Sequence, residues 1–272
     1  MVVNDLGGSI EGIGADPGPA SSVAAEIVAA GGAAIADASN VAEATGAQEL
    51  IDAAVEHFGR LDILINNAGT VRLVGFPEAD AEGLASHLAV HDAGSFNTTR
   101  AAWPRMVDQG YGRIVMTTSA GMFGLPTNVS YATAKAGVIG MTRSLSTAGG
   151  RHGIKVNAIA PAAVTRMAAR PTAEPDPQLS PALVAPMVSF LVHEACPVSG
   201  EIYAAGAGRF ARIFIASTAG YVHSAPEPTM EDVAQHWATI NDESACYVPG
   251  DLPAWSAAFM AHLLPTGTES GS

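Results

Sequence analysis

An α/β fold around a doubly wound parallel sheet is what this sequence predicts, on three observations. Short runs rich in Val and Ile alternate with amphipathic stretches of ten or more residues, the pattern left by βαβ crossovers. Small and polar residues follow the carboxyl ends of those runs, where an open parallel sheet holds its ligands. Hydrophobic residues make up 48% of the 272 and charged residues 14%, a globular balance with length enough for a sizeable core.

Taken in order, Val2 to Asp5 is a β-branched run ending in an acid, followed by a loop rich in Gly and Pro out to Pro19. From about Ala20 to Ala30, Val23, Ile27 and Val28 stand at helical spacing, and Gly31-Gly32 ends the helix. Ala33 to Asp37 is a short strand; Val41 to Phe58 is a helix closed by Gly59. Leu61 to Ile65, apolar except for Asp62, has the length of a strand buried on both faces. Helices follow at about Ala79 to His91 and Ser95 to Asp108, then a strand at Arg113 to Thr118 and a helix at Ser130 to Ala148. Lys155 to Ile159 is strand-like and stops at Pro161; Pro181 to His193 is helical; Ile202 to Ala205 is the last short strand. The pattern weakens beyond Thr218, although Thr229-Met230-Glu231-Asp232 starts an acid-capped helix and 267–272 reads as a frayed tail. We expect one domain over 1–240 and a C-terminal extension of unknown role over 241–272. There is no internal repeat.

Composition also excludes. Lys and Arg number 13 against 26 Asp and Glu, a net charge of −13, which argues against nucleic acid or an anionic membrane as partner. Two cysteines, Cys196 and Cys246, cannot build a disulfide framework; both are expected as packed thiols in a reducing cytoplasm. No apolar run reaches the roughly 18 residues of a membrane span, and no basic, then apolar, secretory leader opens the chain.

Four features fall at strand ends: Asp5, Asn66-Asn67-Ala68-Gly69, Thr117-Thr118-Ser119-Ala120-Gly121 and Pro161-Ala162-Ala163-Val164-Thr165. The most specific motif is Tyr131-Ala132-Thr133-Ala134-Lys135. Tyr and Lys four apart share a helix face, so the ammonium sits beside the phenol and favours phenolate, which lets a tyrosine pass a proton to or from a substrate oxygen. An isolated Y-x-x-x-K usually means an exposed lysine beside a packed ring. A lone Ser at a strand end, such as Ser119, is usually a cap. Their joint occurrence, with the Asn-rich and Pro-led turns, carries the catalytic reading. His87 and His91 have H-x-x-x-H spacing, but with no acid between them and no third ligand nearby we expect no metal site.

These motifs resemble those of the short-chain dehydrogenase/reductases: N-N-A-G at 66–69, the set Ser119, Tyr131 and Lys135, and V-N-A-I-A-P at 156–161. V-V-N-D-L-G-G at 2–8, G-S-F at 94–96, T-R-A-A-W at 99–103 and G-R-I-V-M-T at 112–117 narrow the resemblance. They are similar to the (3R)-hydroxyacyl-CoA dehydrogenase domain of peroxisomal multifunctional enzymes and its bacterial relatives. V-A-P at 184–186, H-E-A-C at 193–196 and G-A-G at 206–208 carry it to about residue 240.

The resemblance implies a Rossmann-type sheet and an NAD-dependent oxidoreductase moving hydride between nicotinamide and a secondary alcohol or ketone, a 3-hydroxyacyl-CoA-like substrate. Tyr131 would be the acid/base, Ser119 would orient the substrate oxygen, and Lys135 would hold the nicotinamide ribose. His91 stands where most of the family has an Asn that anchors a relay water. Asp5 would bind the adenosine ribose, its charge favouring NAD over NADP. Asp37 and Ala38 would flank the adenine and Asn66, Asn67, Ala68 and Gly69 the adjoining ribose. Pro161, Val164 and Thr165 would serve the cofactor too, the last two at its nicotinamide end. CoA phosphates want cations, which Arg166 and Arg170, or Arg209 and Arg212, could supply. A homodimer or homotetramer would form through the helix of Trp103 and that of Tyr131.

One departure matters. The family's T-G-x-x-x-G-x-G turn belongs before the strand that ends in Asp5, and these residues start inside that strand. The first strand, the Gly-rich turn and the first helix are therefore expected to be lacking, with weak NAD binding or none. The gap would be filled by a partner segment or by rearranged strands. The competing alignment takes Gly8 to Gly14, spaced G-x-x-x-G-x-G, as the phosphate turn and Asp37 as the ribose acid. The competing function is a non-catalytic dehydrogenase-like subunit.

Overall fold

The computed structural model describes residues 1–167 and 176–263; Arg170 and the expected tail at 267–272 lie outside them. The chain divides into two compact units, Met1–Ile213 and a second starting at Phe214.

The first unit carries the sheet. Strand β4 (Gly112–Thr117) is buried along its whole length, between β3 (Ile63–Asn66) and β5 (Ile154–Ala162). β6 (Ile202–Gly206) follows in parallel, and β7 (Arg209–Ile213) closes the edge antiparallel. Alternation along β4 divides the core. Ile114 and Met116 join Ile51 of α2 (Ala44–Phe58), Met106 of α4 (Ser95–Gln109) and Val138 of α5 (Val129–Gly149). Val115 turns the other way, onto Val184 and Leu191, the latter in α6 (Ala185–Val192). Helices on both faces of a parallel sheet make this the doubly wound α/β class.

The sheet is not continuous. β1 (Val2–Asn4) pairs only with β2 (Ile35–Asp37), through α1 (Gly18–Ala29), as a separate parallel ribbon. The unpaired edges of β1 and β3 face one cleft of about 770 Å³, lined by Val3, Asn4, Val41, Ile63, Ile65 and Val188 among others. No described strand lies between them, so rearranged strands do not fill the gap. The break also decides between the two alignments: were Gly8 to Gly14 the phosphate turn, β1 would hydrogen-bond to β3. Instead that loop ends short of α1, whose N-cap is Pro17.

Several elements differ from expectation, each for a physical reason. β3 is not buried on both faces: Leu64 is 8% exposed, but Ile63 and Ile65 are 43% and 45% exposed because they open onto the cleft. The two helices expected at 79–108 are one run, α3 (Ala81–Leu88) passing into α4 through a π-helical turn at Ala89–Gly94. β5 does not stop at Pro161. Thr118 donates to the carbonyl of Ile159, which places that side of β5 against β4. Pro161 faces the same side beyond the end of β4, so its missing N–H leaves no ladder bond unmade. β7 was not anticipated; Gly206, Ala207 and Gly208 all take positive φ and turn the chain back on β6.

The second unit holds α7 (Met230–Gln235), α8 (Trp237–Ile240) and α9 (Leu252–Phe259). Thr229 and Asp232 form a reciprocal capping box at α7. Cys196 is buried in the core, whereas Cys246 is exposed and so not the packed thiol expected. Among the described residues no helix is long and apolar enough to cross a membrane.

Candidate active site

The site is built where β4 ends. Ser119 caps a 3₁₀ turn at Ala120–Phe123, its Oγ accepting from the Gly121 N–H at 3.0 Å. The cap uses an acceptor lone pair and leaves the hydroxyl proton available to donate. α5 then presents Tyr131 in its first turn and Lys135 one turn later. The Lys135 ammonium is buried, donates to the Thr117 carbonyl at 2.6 Å and lies 5.7 Å from the centre of the Tyr131 ring. The Thr118 hydroxyl donates to the Lys135 carbonyl at 2.6 Å, pinning the helix to the strand end. A methyl on Gly121 would stand 3.2 Å from Tyr131 Cε1 and 3.3 Å from Ser119 Oγ. Serine, tyrosine and Asn128 therefore converge closely on Gly121, and any side chain there would crowd them.

Two histidines back the tyrosine. His91, on the π turn, meets the Tyr131 ring edge-on at 5.4 Å, and His87 lies 6.1 Å from both rings. His87 Nε2 accepts from the Arg72 N–H at 3.1 Å, so Nδ1 carries the proton given to the Gly83 carbonyl at 2.6 Å. His91 Nε2 reaches the Thr70 carbonyl at 2.8 Å, and its Nδ1 is buried without a partner. The H-x-x-x-H pair thus clamps the loop after Asn-Asn-Ala-Gly. Gly69 is required there, since a methyl would press to 2.6 Å from His91 Cε1.

Burial first, and the Lys135 charge second, hold His91 neutral, its pKa pushed down to about 3. Burial likewise lowers Lys135 to about 8, opposed by Asp92, and raises Asp92 to about 6, opposed by Lys135.

The remaining predicted residues divide. Asn66 is occupied structurally, accepting from Thr98 Oγ1 at 2.7 Å and donating to Thr99 Oγ1 at 3.1 Å. Asn67 is exposed and accepts from Thr117 Oγ1 at 3.3 Å; Ala68 is exposed beside it. Asp5 is exposed at the carboxyl end of β1, holding only the Gly7 N–H at 2.7 Å. The Asp37 carboxylate is engaged by Asn4 Nδ2 at 2.6 Å and by Ser39 N at 2.9 Å, next to an exposed Ala38. Pro161, Val164 and Thr165 are exposed at the end of β5. Arg166 and Arg209 are exposed, but Arg212 is taken by Glu201 in a two-pronged ion pair at 2.6 and 2.8 Å. Sequence reasoning missed Asp92, and also Asn128, whose buried Oδ1 has no partner beside Gly121; neither lies in a motif.

The short chain dehydrogenase family model matches residues 6–176. The chain belongs to the short-chain dehydrogenase family. This short-chain dehydrogenase is 37% identical over 253 residues to a short-chain type dehydrogenase/reductase of Mycobacterium tuberculosis, covering 92% of this chain and 88% of that protein. It is 38% identical to the peroxisomal multifunctional enzyme type 2 of Mus musculus over 92% of this chain but 34% of that protein. The crystal structure of a short chain dehydrogenase from Mycobacterium avium aligns with TM-score 0.73 at 34% identity, over 90% of this chain and 88% of that one. The full-length peroxisomal multifunctional enzyme type 2 of Drosophila melanogaster aligns with TM-score 0.79 at 29% identity, over 96% and 48%. This dehydrogenase therefore spans about a third of the mouse enzyme and half of the fly structure.

Proposed function

We propose that this oxidoreductase is NAD-dependent and interconverts a secondary alcohol and a ketone on a 3-hydroxyacyl-CoA-like substrate. The observation that carries the reading is the convergence of Ser119 Oγ and the Tyr131 ring on Gly121 at the end of β4, with the Lys135 ammonium beside the ring. Ser119 donates to the substrate oxygen and fixes it. Tyr131 gives that oxygen its proton in reduction and removes it in oxidation. Lys135 keeps positive charge beside the phenol, and His91 with His87 holds the ring's back.

When bound, nicotinamide supplies the hydride donor or acceptor. The residues suit its two ends: Asp5 offers an exposed carboxylate for ribose hydroxyls, repelling a 2′-phosphate, and Asn67, Lys135 and Val164 would hold the reacting end, as the family resemblance implies. Between those ends lies the cleft of β1 and β3, where no described helix N-terminus offers donors to a pyrophosphate. We therefore expect these 272 residues alone to bind NAD weakly or not at all. Calorimetric titration checks this, and low-micromolar binding would overturn it. The family resemblance further suggests a homodimer or homotetramer through α4 and α5, whose shared depression of about 430 Å³ holds Phe96, Trp103 and Leu145.

The cleft also favours a second reading, a dehydrogenase-like subunit without catalysis. Tyr131→Phe separates the two: loss of nicotinamide-dependent activity on the order of 10²–10⁴-fold supports the enzyme, and no nicotinamide-dependent activity in either protein, even in the longest product the gene encodes, supports the scaffold.

A further inference from the structure

Asn128 stands at the N-cap of α5, one turn before Tyr131, and is only 4% exposed. Its backbone is fixed on both sides: the N–H donates to the Leu125 carbonyl at 3.1 Å, and the carbonyl accepts from the Ala132 N–H at 2.9 Å. The side chain is not. An Asn at this position ordinarily caps its helix, yet this amide makes no capping bond, and its Oδ1 is buried with no hydrogen-bond partner. Buried amides are rarely left so, because an unmade bond costs stability; an exception clustered with reactive groups points to a ligand.

The amide is aimed at those groups. Its Nδ2 stands 3.3 Å from the place a methyl on Gly121 would take, the same point that Ser119 Oγ approaches to 3.3 Å and Tyr131 Cε1 to 3.2 Å. Two of the three side chains already have a task. Ser119 and Tyr131 each bring an O–H to the reacting oxygen, and a carbonyl oxygen has two lone pairs. A third donor therefore needs a second acceptor. A 3-oxoacyl or 3-hydroxyacyl thioester carries one, the thioester carbonyl, two carbons from the reacting carbon; a simple ketone or secondary alcohol has none. We infer that Asn128 is a specificity residue whose amide N–H hydrogen-bonds the thioester carbonyl, so that the site selects substrates with two oxygens in 1,3 relation. The inference deepens the reading of Ser119 and Tyr131 as the groups on the reacting oxygen and rests on it.

Two probes of equal length test it: the 3-oxobutanoyl thioester of N-acetylcysteamine, and its analogue in which a methylene replaces the thioester carbonyl. In the full protein labelled with ¹⁵N-asparagine, the Asn128 side-chain amide, assigned with Asn128→Asp, should move downfield when the thioester is added and hold its position with the analogue. No movement with the thioester, or equal movement with both probes, would overturn the inference. In the nicotinamide assay, Asn128→Leu should cut the ratio of kcat/KM for thioester over analogue by about ten- to a hundredfold. An unchanged ratio, with both probes slowed alike, would mean that the residue only holds the start of α5, and is equally fatal. Should that variant not fold, the titration of the unaltered protein decides. The titration needs neither NAD nor hydride transfer, so it can fail while the Tyr131→Phe result stands, and succeed where that result fails.

Discussion

Around Tyr131, the charge states of neighbouring side chains depend on burial. His91 has a folded pKa of about 3 against 6.5 for the free side chain. The unfolded chain therefore binds the extra proton between those values, and folding stability contributed by neutral His91 is complete above pH 6.5 and lost as pH falls toward 3. Asp92 works the other way. Its pKa is raised to about 6, so the folded state binds its proton first, and stability falls as pH rises from 3.8 to 6. Replacing His91 with Asn should flatten the acid side of a urea-midpoint-against-pH curve, the unaltered protein losing up to about 3 kcal/mol more than the variant. Equal acid slopes in the two proteins would remove His91 from the account. A second test uses Gly121, beside the hydroxyl and the ring. Gly121→Ala should slow turnover at least about tenfold with a stability change under about 1 kcal/mol, read from parallel rate and denaturation measurements. At this scale the sequence was legible for Ser119, Tyr131 and Lys135, because helix spacing and a strand end fix where those groups must point. His91 needed the family resemblance. Asp92 and Asn128 were illegible, since their role comes from what α5 and the 3₁₀ turn bring against them, and no spacing records that.

Among the elements, burial decided what could be read. β4 and α5 were placed within a residue or two because the apolar run of β4 and the Gly-bounded length of α5 mark their own ends in the sequence. The π turn, the passage of β5 through Pro161 and the β6–β7 hairpin were not, because each depends on a tertiary neighbour: α5, the end of β4, and the edge of β6. Gly-Ala-Gly before Arg209-Phe210-Ala211-Arg212-Ile213 was the overlooked hairpin signal. Ala207 takes φ 51° in that turn, a left-handed conformation that costs an L-residue with a Cβ. Ala207→Gly should therefore raise stability by roughly 0.5–1 kcal/mol, seen as a higher urea midpoint. In the core, Met106 is fully buried between α4 and the sheet. Met106→Ala should cost about 2–5 kcal/mol, and a loss under 1 kcal/mol would show that this face is not tightly packed.

For the molecule as a whole, the sheet break is the feature with the widest consequence. Alternating strands and helices made the α/β class readable, and the sequential parallel order β3-β4-β5-β6 is what helical crossovers between neighbouring strands produce. The expectation of a gap beside Asp5 came from the family resemblance; its position between β1 and β3 comes from pairing. On the proposed function, a site whose proton-transfer groups are assembled beside an open cleft between β1 and β3 should be limited by cofactor affinity and not by chemistry. The measurement that tests the proposed catalysis most directly is a nicotinamide absorbance assay with a 3-hydroxyacyl-CoA, run on the longest product the gene encodes. Tyr131 protein and its Tyr131→Phe variant would be compared at saturating NAD. The account predicts turnover by the first and a collapse on the order of 10²–10⁴-fold in the second. Equal rates in both, or no reduction of NAD by either, would contradict it.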